Sequence, residues 1–176
     1  MKKYFTILSA AAFAATLSAA DFRIDINGIN GTVMKPLEAS EGVTLTQQSW
    51  RGKNKDRHLT CTAKVTNEWK KYSITFVAKN DGVFSMHLMS TSPKDFFACD
   101  DIASSQLEIK NGNFEQLNAK GEPESWYKMK EPRFSLTDGT DGSKCGIVAH
   151  NDRWHQQIRC KKGEVVTITF CARSIK

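Results

Sequence analysis

Long hydrophobic runs are missing from this 176-residue sequence everywhere except at its start. After residue 20 no segment is apolar enough to span a bilayer. No apolar spacing of i, i+3, i+4, i+7 persists over three turns, which excludes amphipathic helices as the main elements. Only four prolines occur, and no Pro- or Ser-rich linker, exact repeat or low-complexity tract divides the chain. Signatures of catalysis are missing as well. There is no Gly-x-Ser-x-Gly elbow, no His-Glu-x-x-His helix and no Gly-rich phosphate loop. The adjacent acids Asp100 and Asp101 face apart on a strand, so they cannot serve as a glycosidase pair. The chain reads as non-enzymatic.

What opens the chain is an export signal. Lys2 and Lys3 precede an Ala-rich apolar run from Tyr4 to Leu17, and Ser18-Ala19-Ala20 supplies small residues at −3 and −1. This is the layout of a signal peptide over residues 1–20, cleaved near Ala20. Cleavage leaves 156 residues, enough for a single β-sandwich domain over 21–176. It also lowers the net charge from +6 to +4, because the two lysines leave without an acid. A modestly basic exported chain is no nucleic-acid binder. Residue 21 is Asp rather than Cys, so no lipid anchor is written at the cut, and membrane insertion is not expected. The expected location is secreted or periplasmic. Five cysteines remain. Oxidation outside the cytoplasm permits disulfides, but an odd count leaves at least one thiol over, and each Cys could equally be a small buried apolar residue.

Period-two alternation dominates the mature chain. Phe22, Ile24 and Ile26 alternate with Arg23 and Asp25; Leu59, Cys61 and Ala63 with Thr60 and Thr62; Tyr72, Ile74 and Phe76 with Ser73 and Thr75. Phe84, Met86 and Leu88 repeat the pattern, as do Val166, Ile168 and Phe170. Such segments are half-buried strands. Asn80-Asp81-Gly82 between two of them predicts a hairpin turn. Asn111-Gly112, Asp138-Gly139, Asp141-Gly142 and Lys161-Lys162-Gly163 mark further turns, and 51–57 and 116–125 read as loops. Many short strands punctuated this way predict an all-β sandwich or jelly roll.

Two stretches carry a resemblance. The run Trp69-Lys70-Lys71-Tyr72-Ser73-Ile74-Thr75-Phe76, then Asn80-Asp81-Gly82 and Asp100-Asp101-Ile102, resembles the closing half of secreted carbohydrate-binding modules with the galactose-binding-like jelly roll. Asn111-Gly112-Asn113-Phe114-Glu115, Trp126 and Val165–Arg173 are similar to the opening half. The halves stand in reverse order, as in one circularly permuted domain or in the tail of one module fused to the head of another; 156 residues suit the former, since two half-domains would leave sheet edges exposed. The strand with Asp100–Ile102 should then lie beside a strand beginning at Asn111. The resemblance covers about half of the mature chain. It implies a secreted, non-catalytic protein whose partner is a glycan or polysaccharide. The alternative is an exported structural or adhesion domain making protein contacts without sugar.

The resemblance also implies a structural calcium held by Glu115 and by Asp100 or Asp101; apart from it, Asp138 and Asp141 in a Gly-rich loop form a poorer second set whose ordinary role is to shape turns. For sugar binding, aromatic faces stack on pyranose rings. Trp69 and Trp126 match core positions of the resembled modules, which leaves Trp154 and Trp50 as platforms. Trp154 is preferred, because Arg153, His155 and Gln156 beside it could bond hydroxyls. The even spacing of Cys145, His150, His155 and Cys160 invites a zinc reading, but positions five apart on strands face opposite ways. A Cys145–His150 dyad has no motif behind it.

Overall fold

The computed structural model describes residues 20–48 and 57–175. Among these there is no helix, and the twelve strands make two six-stranded sheets in which every pairing is antiparallel. Numbered along the chain, the first sheet runs β3 (Val43–Gln47), β4 (His58–Ala63), β1 (Phe22–Ile29), β6 (Gly82–Ser90), β11 (Arg153–Cys160), β8 (Tyr127–Met129). The second runs β2 (Met34–Ala39), β5 (Lys70–Ala78), β12 (Val165–Ile175), β7 (Phe96–Ser104), β10 (Cys145–Val148), β9 (Arg133–Ser135). The protein is a β-sandwich. Residues before and after position 110 contribute strands to both sheets.

The alternating apolar residues do what their period dictates. Phe22, Ile24 and Ile26 of β1 and Phe84, Met86 and Leu88 of β6 face Tyr72, Ile74 and Phe76 of β5 and Ile168 and Phe170 of β12, all within one buried cluster. Aromatic rings lock the two layers together. Phe22 meets Phe170 at 5.5 Å and Phe97 edge-on at 6.3 Å, and Phe76 meets Phe84 edge-on at 5.6 Å. Each such ring is worth about 3–5 kcal/mol against truncation to Ala.

Asn80-Asp81-Gly82 corrects the hairpin expectation. β5 and β6 do not pair; β5 lies between β2 and β12, β6 between β1 and β11. The turn therefore carries the chain from one sheet to the other. The reason is burial, since both strands have one apolar face and opposing the faces covers both, whereas a hairpin would set them side by side. The Asn80 side chain fixes the crossing by accepting from the Val33 amide at 2.8 Å. Gly82 has no room for a side chain, because a Cβ there would collide with Thr32.

The Asp100–Ile102 strand and the Asn111 segment do come together. The Ile102 amide donates to the Gly112 carbonyl at 3.0 Å, and a Cβ on Gly112 would strike the Ile102 carbonyl. Residues 111–114 form a turn there rather than the start of a strand. The turn is pinned by Phe114 stacked on Trp126 at 5.1 Å and by Trp126 Nε1 donating to the Asn111 carbonyl at 2.8 Å. Trp126 is a core residue. Trp69 is half-buried under the Arg173 guanidinium, 5.3 Å from its ring.

All five cysteines are buried and unpaired. Burial pushes the Cys61 and Cys145 thiols up to about 12. We expect the folded protein to leave a thiol reagent unconsumed and to titrate five thiols only on unfolding. A mass deficit from a disulfide, or rapid labelling of the native protein, would contradict this arrangement.

Candidate functional site

β11 divides its residues between the two faces of the first sheet. Trp154, Gln156, Ile158 and Cys160 are buried, while Arg153, His155, Gln157 and Arg159 point outward. Trp154 is thus not an exposed platform. It is 2% exposed, and its Nε1 donates to the Arg133 carbonyl at 2.8 Å. In the sequence the polar stretch 151–157 has the character of a loop entering a strand, but the strand starts at Arg153, and alternation then sends the indole inward.

Gln156 is also inward, and it is fully used. Its Oε1 accepts from the Lys110 amide at 2.9 Å, and its Nε2 donates to the carbonyls of Lys110 at 2.9 Å and Ser125 at 3.2 Å. It therefore positions the 108–110 and 125–127 segments instead of offering itself to a hydroxyl. Arg153 and His155 do reach the outer face, with Arg153 Nε donating to the His150 carbonyl at 2.8 Å. Trp50 lies outside the described residues.

Strand register assembles a row of chemistry on that outer face. Thr60 of β4 lies opposite Asp25 of β1, Asp25 opposite His87 of β6, His87 opposite His155 of β11, and His155 opposite Tyr127 of β8. Asp25 is 3% exposed and receives both Arg23 Nε at 2.6 Å and Arg23 Nη2 at 3.0 Å. His58 Nε2 is 3.7 Å away. Burial alone would raise the Asp25 pKa; contact with His58 and Arg23 outweighs it and holds the carboxyl below its usual range. The imidazoles of His87 and His155 stack at 4.9 Å and 14°, with Tyr127 tilted on the far side of His155 at 5.6 Å. His87 Nε2 meets Ser85 Oγ at 2.9 Å. The Nδ1 atoms of both histidines are buried with no hydrogen-bond partner among the described residues. Polar atoms left unmatched in this way are uncommon and concentrate where a ligand or water completes the set.

Tyr127 is the aromatic group the sequence reading missed. It is 63% exposed and borders a groove of about 520 Å³ lined by Glu108, Lys110, His155, Gln157 and Arg159. A signal for it was present. With Trp126 assigned to the core, period two turns its neighbour outward.

The corner implied for calcium is built differently. The Asp100 carboxylate, wholly buried, accepts from the Thr140 amide at 3.0 Å, Thr140 Oγ1 at 3.2 Å and the Asp101 amide at 2.8 Å. Glu115 accepts from the Lys144 amide at 2.7 Å and the Lys144 ammonium at 2.9 Å, which lowers its pKa. A calcium site offers oxygens to a cation; here N–H donors and a lysine already satisfy both carboxylates. The set does not fit calcium as it stands. Among the described residues no three His, Cys, Asp or Glu side chains are grouped so as to hold a metal, and Asp101, Asp138 and Asp141 add no such group. Cys145, His150, His155 and Cys160 likewise do not gather. A Cys145 thiol pushed up to about 12 is the opposite of an activated nucleophile.

Among the described residues no helix is long and apolar enough to cross a membrane. Compared with protein-family profiles, curated proteins and solved structures, the chain gives no match.

The histidine pair generates a pH prediction. Burial, then the neighbouring His155 and Arg153, push His87 down to about 4, against about 6.5 for a free imidazole. Between these values the unfolded chain takes up a proton that the folded protein refuses. Stability is therefore full above about pH 6.5 and lost as pH falls toward about 4. Melting temperatures measured across this window should fall with acidification, and less steeply in His87→Gln. An equal slope in the variant would remove His87 from the account.

Proposed function

We propose that this protein is an exported, non-catalytic carbohydrate-binding sandwich of the galactose-binding-like jelly-roll type, in circularly permuted order. On this reading it binds a glycan on the outer face of its first sheet. The observation that carries the reading is Tyr127: an exposed aromatic ring, braced from behind by His155, beside a groove whose walls are amide, amine and carboxylate side chains. A pyranose face stacks on the ring while Gln157, Lys110 and Glu108 reach its hydroxyls. The permuted order is supported by the meeting of Ile102 and Gly112, which joins the two resembled stretches across the middle of the chain.

The test compares two aromatic truncations on the same samples. Tyr127→Ala removes a ring face worth about 1–3 kcal/mol, so glycan affinity should fall roughly fivefold to a hundredfold while the melting temperature barely moves. Trp154→Ala should do the reverse, costing about 3–5 kcal/mol of stability. If Tyr127→Ala binds glycans as well as the parent, the site is elsewhere. If an array of neutral and charged glycans retains nothing, the adhesion reading takes its place.

A further inference from the structure

The outer face of the first sheet has an unbalanced charge. It carries three arginines (Arg23, Arg153, Arg159) against one carboxylate, Asp25. That carboxylate is spent on Arg23. Neither Arg153 nor Arg159 forms an ion pair with a carboxylate among the described residues. The two lie six residues apart on one face of β11, a span of about 20 Å at the strand rise.

Arg159 also stands at a junction. The groove beside Tyr127 shares Glu108 and Arg159 with a second groove of about 520 Å³ that runs on past Gln106, Cys160 and Lys161. The trough also carries three carboxylates, each beside an N–H donor or an ammonium but still charged. Glu108 stands 4.0 Å from the Lys110 ammonium, Asp81 accepts from the Lys162 amide at 2.7 Å, and Glu164 accepts from the Lys161 amide at 2.9 Å. A neutral sugar chain has no need of unpaired guanidinium groups, whereas an anionic substituent pairs with them in the two-pronged geometry arginine favours.

Resting on the reading of Tyr127 as the stacking platform, we infer that the ligand is a linear acidic glycan. It lies along β11 with carboxylate or sulfate groups at Arg159 and Arg153. Tyr127 supplies the ring contact, the arginines supply the selection, and the trough beyond Arg159 takes further sugar units.

The experiment is a binding panel with the mature protein. Oligomers of galacturonate, glucuronate and mannuronate, together with a sulfated galactan oligomer, are each compared with the neutral oligomer of the same length, and a short single-stranded DNA serves as the polyanion control. At least one acidic oligomer should bind roughly tenfold tighter than its neutral counterpart, and the advantage should shrink as salt rises. Arg159→Gln should remove most of that advantage, Arg159→Lys should keep part of it, and Tyr127→Ala should weaken acidic and neutral oligomers alike. The Arg159 side chain is exposed and makes no hydrogen bond among the described residues, so its variants should melt with the parent. Equal binding of acidic and neutral oligomers, lost in Tyr127→Ala, overturns the charge inference and leaves the platform in place. Acidic binding indifferent to Tyr127→Ala overturns the platform. Retention of DNA as tightly as any glycan, or of no acidic member at all, overturns the acidic-glycan inference.

Discussion

Phe22, packed against Phe97 and Phe170 of the opposite sheet, decides which side of the first sheet meets solvent. Once that ring is inward, Arg23 and Asp25 must be outward, because neighbours on a strand face apart. Register then passes the decision from strand to strand. Asp25 is level with His87, His87 with His155, and His155 with Tyr127. An aromatic contact in the core thus fixes, up to three strands away, that Tyr127 is exposed and Trp154 hidden. A one-residue slip of β11 would turn Trp154 out to solvent and bury Arg153 and Arg159.

The outer row is costly to maintain. Arg23 and Asp25 form a bidentate pair on a carboxylate that is almost fully covered, and such pairs return little or no stability beyond an apolar replacement of the same shape. Two stacked imidazoles with unmatched Nδ1 atoms add a further penalty. A sheet whose only task was to close the sandwich would be more stable with threonine and valine at these positions. On the proposed function the row is a surface held rigid for a ligand: strands rather than loops carry its side chains, and Gln156 ties the flanking segments down from beneath.

Much of the fold was legible in the sequence because burial on one face writes itself as period two. Phe22–Ile26, Tyr72–Phe76, Phe84–Leu88 and Val166–Phe170 all run as the alternation predicts. Sheet membership was not legible. Asn80-Asp81-Gly82 has hairpin chemistry, yet the strands it joins enter different layers, because covering two apolar faces decides the matter over many residues and the turn over only three. The site was half legible. Arg153 and His155, legible only as polar neighbours of Trp154, do stand on the outer face. Trp154 was misplaced because its polar neighbours suggested a loop, and Tyr127 was passed over because β8 is three residues long and shows no period of its own. The pairing of Glu115 with Lys144 depends on a contact across 29 positions, and no local pattern records it.

The claim on which all of this rests is that ligand meets the outer face of β11 and β8. Amide chemical-shift mapping of the labelled mature protein, titrated with its tightest-binding glycan, tests that claim most directly. Shifts confined to residues 81–83, 106–110, 125–129 and 153–164, which line the two grooves and the outer face of β11 and β8, are the predicted result. Shifts gathered on the second sheet, or on the corner formed by Asp100, Gly112 and Thr140, would contradict it.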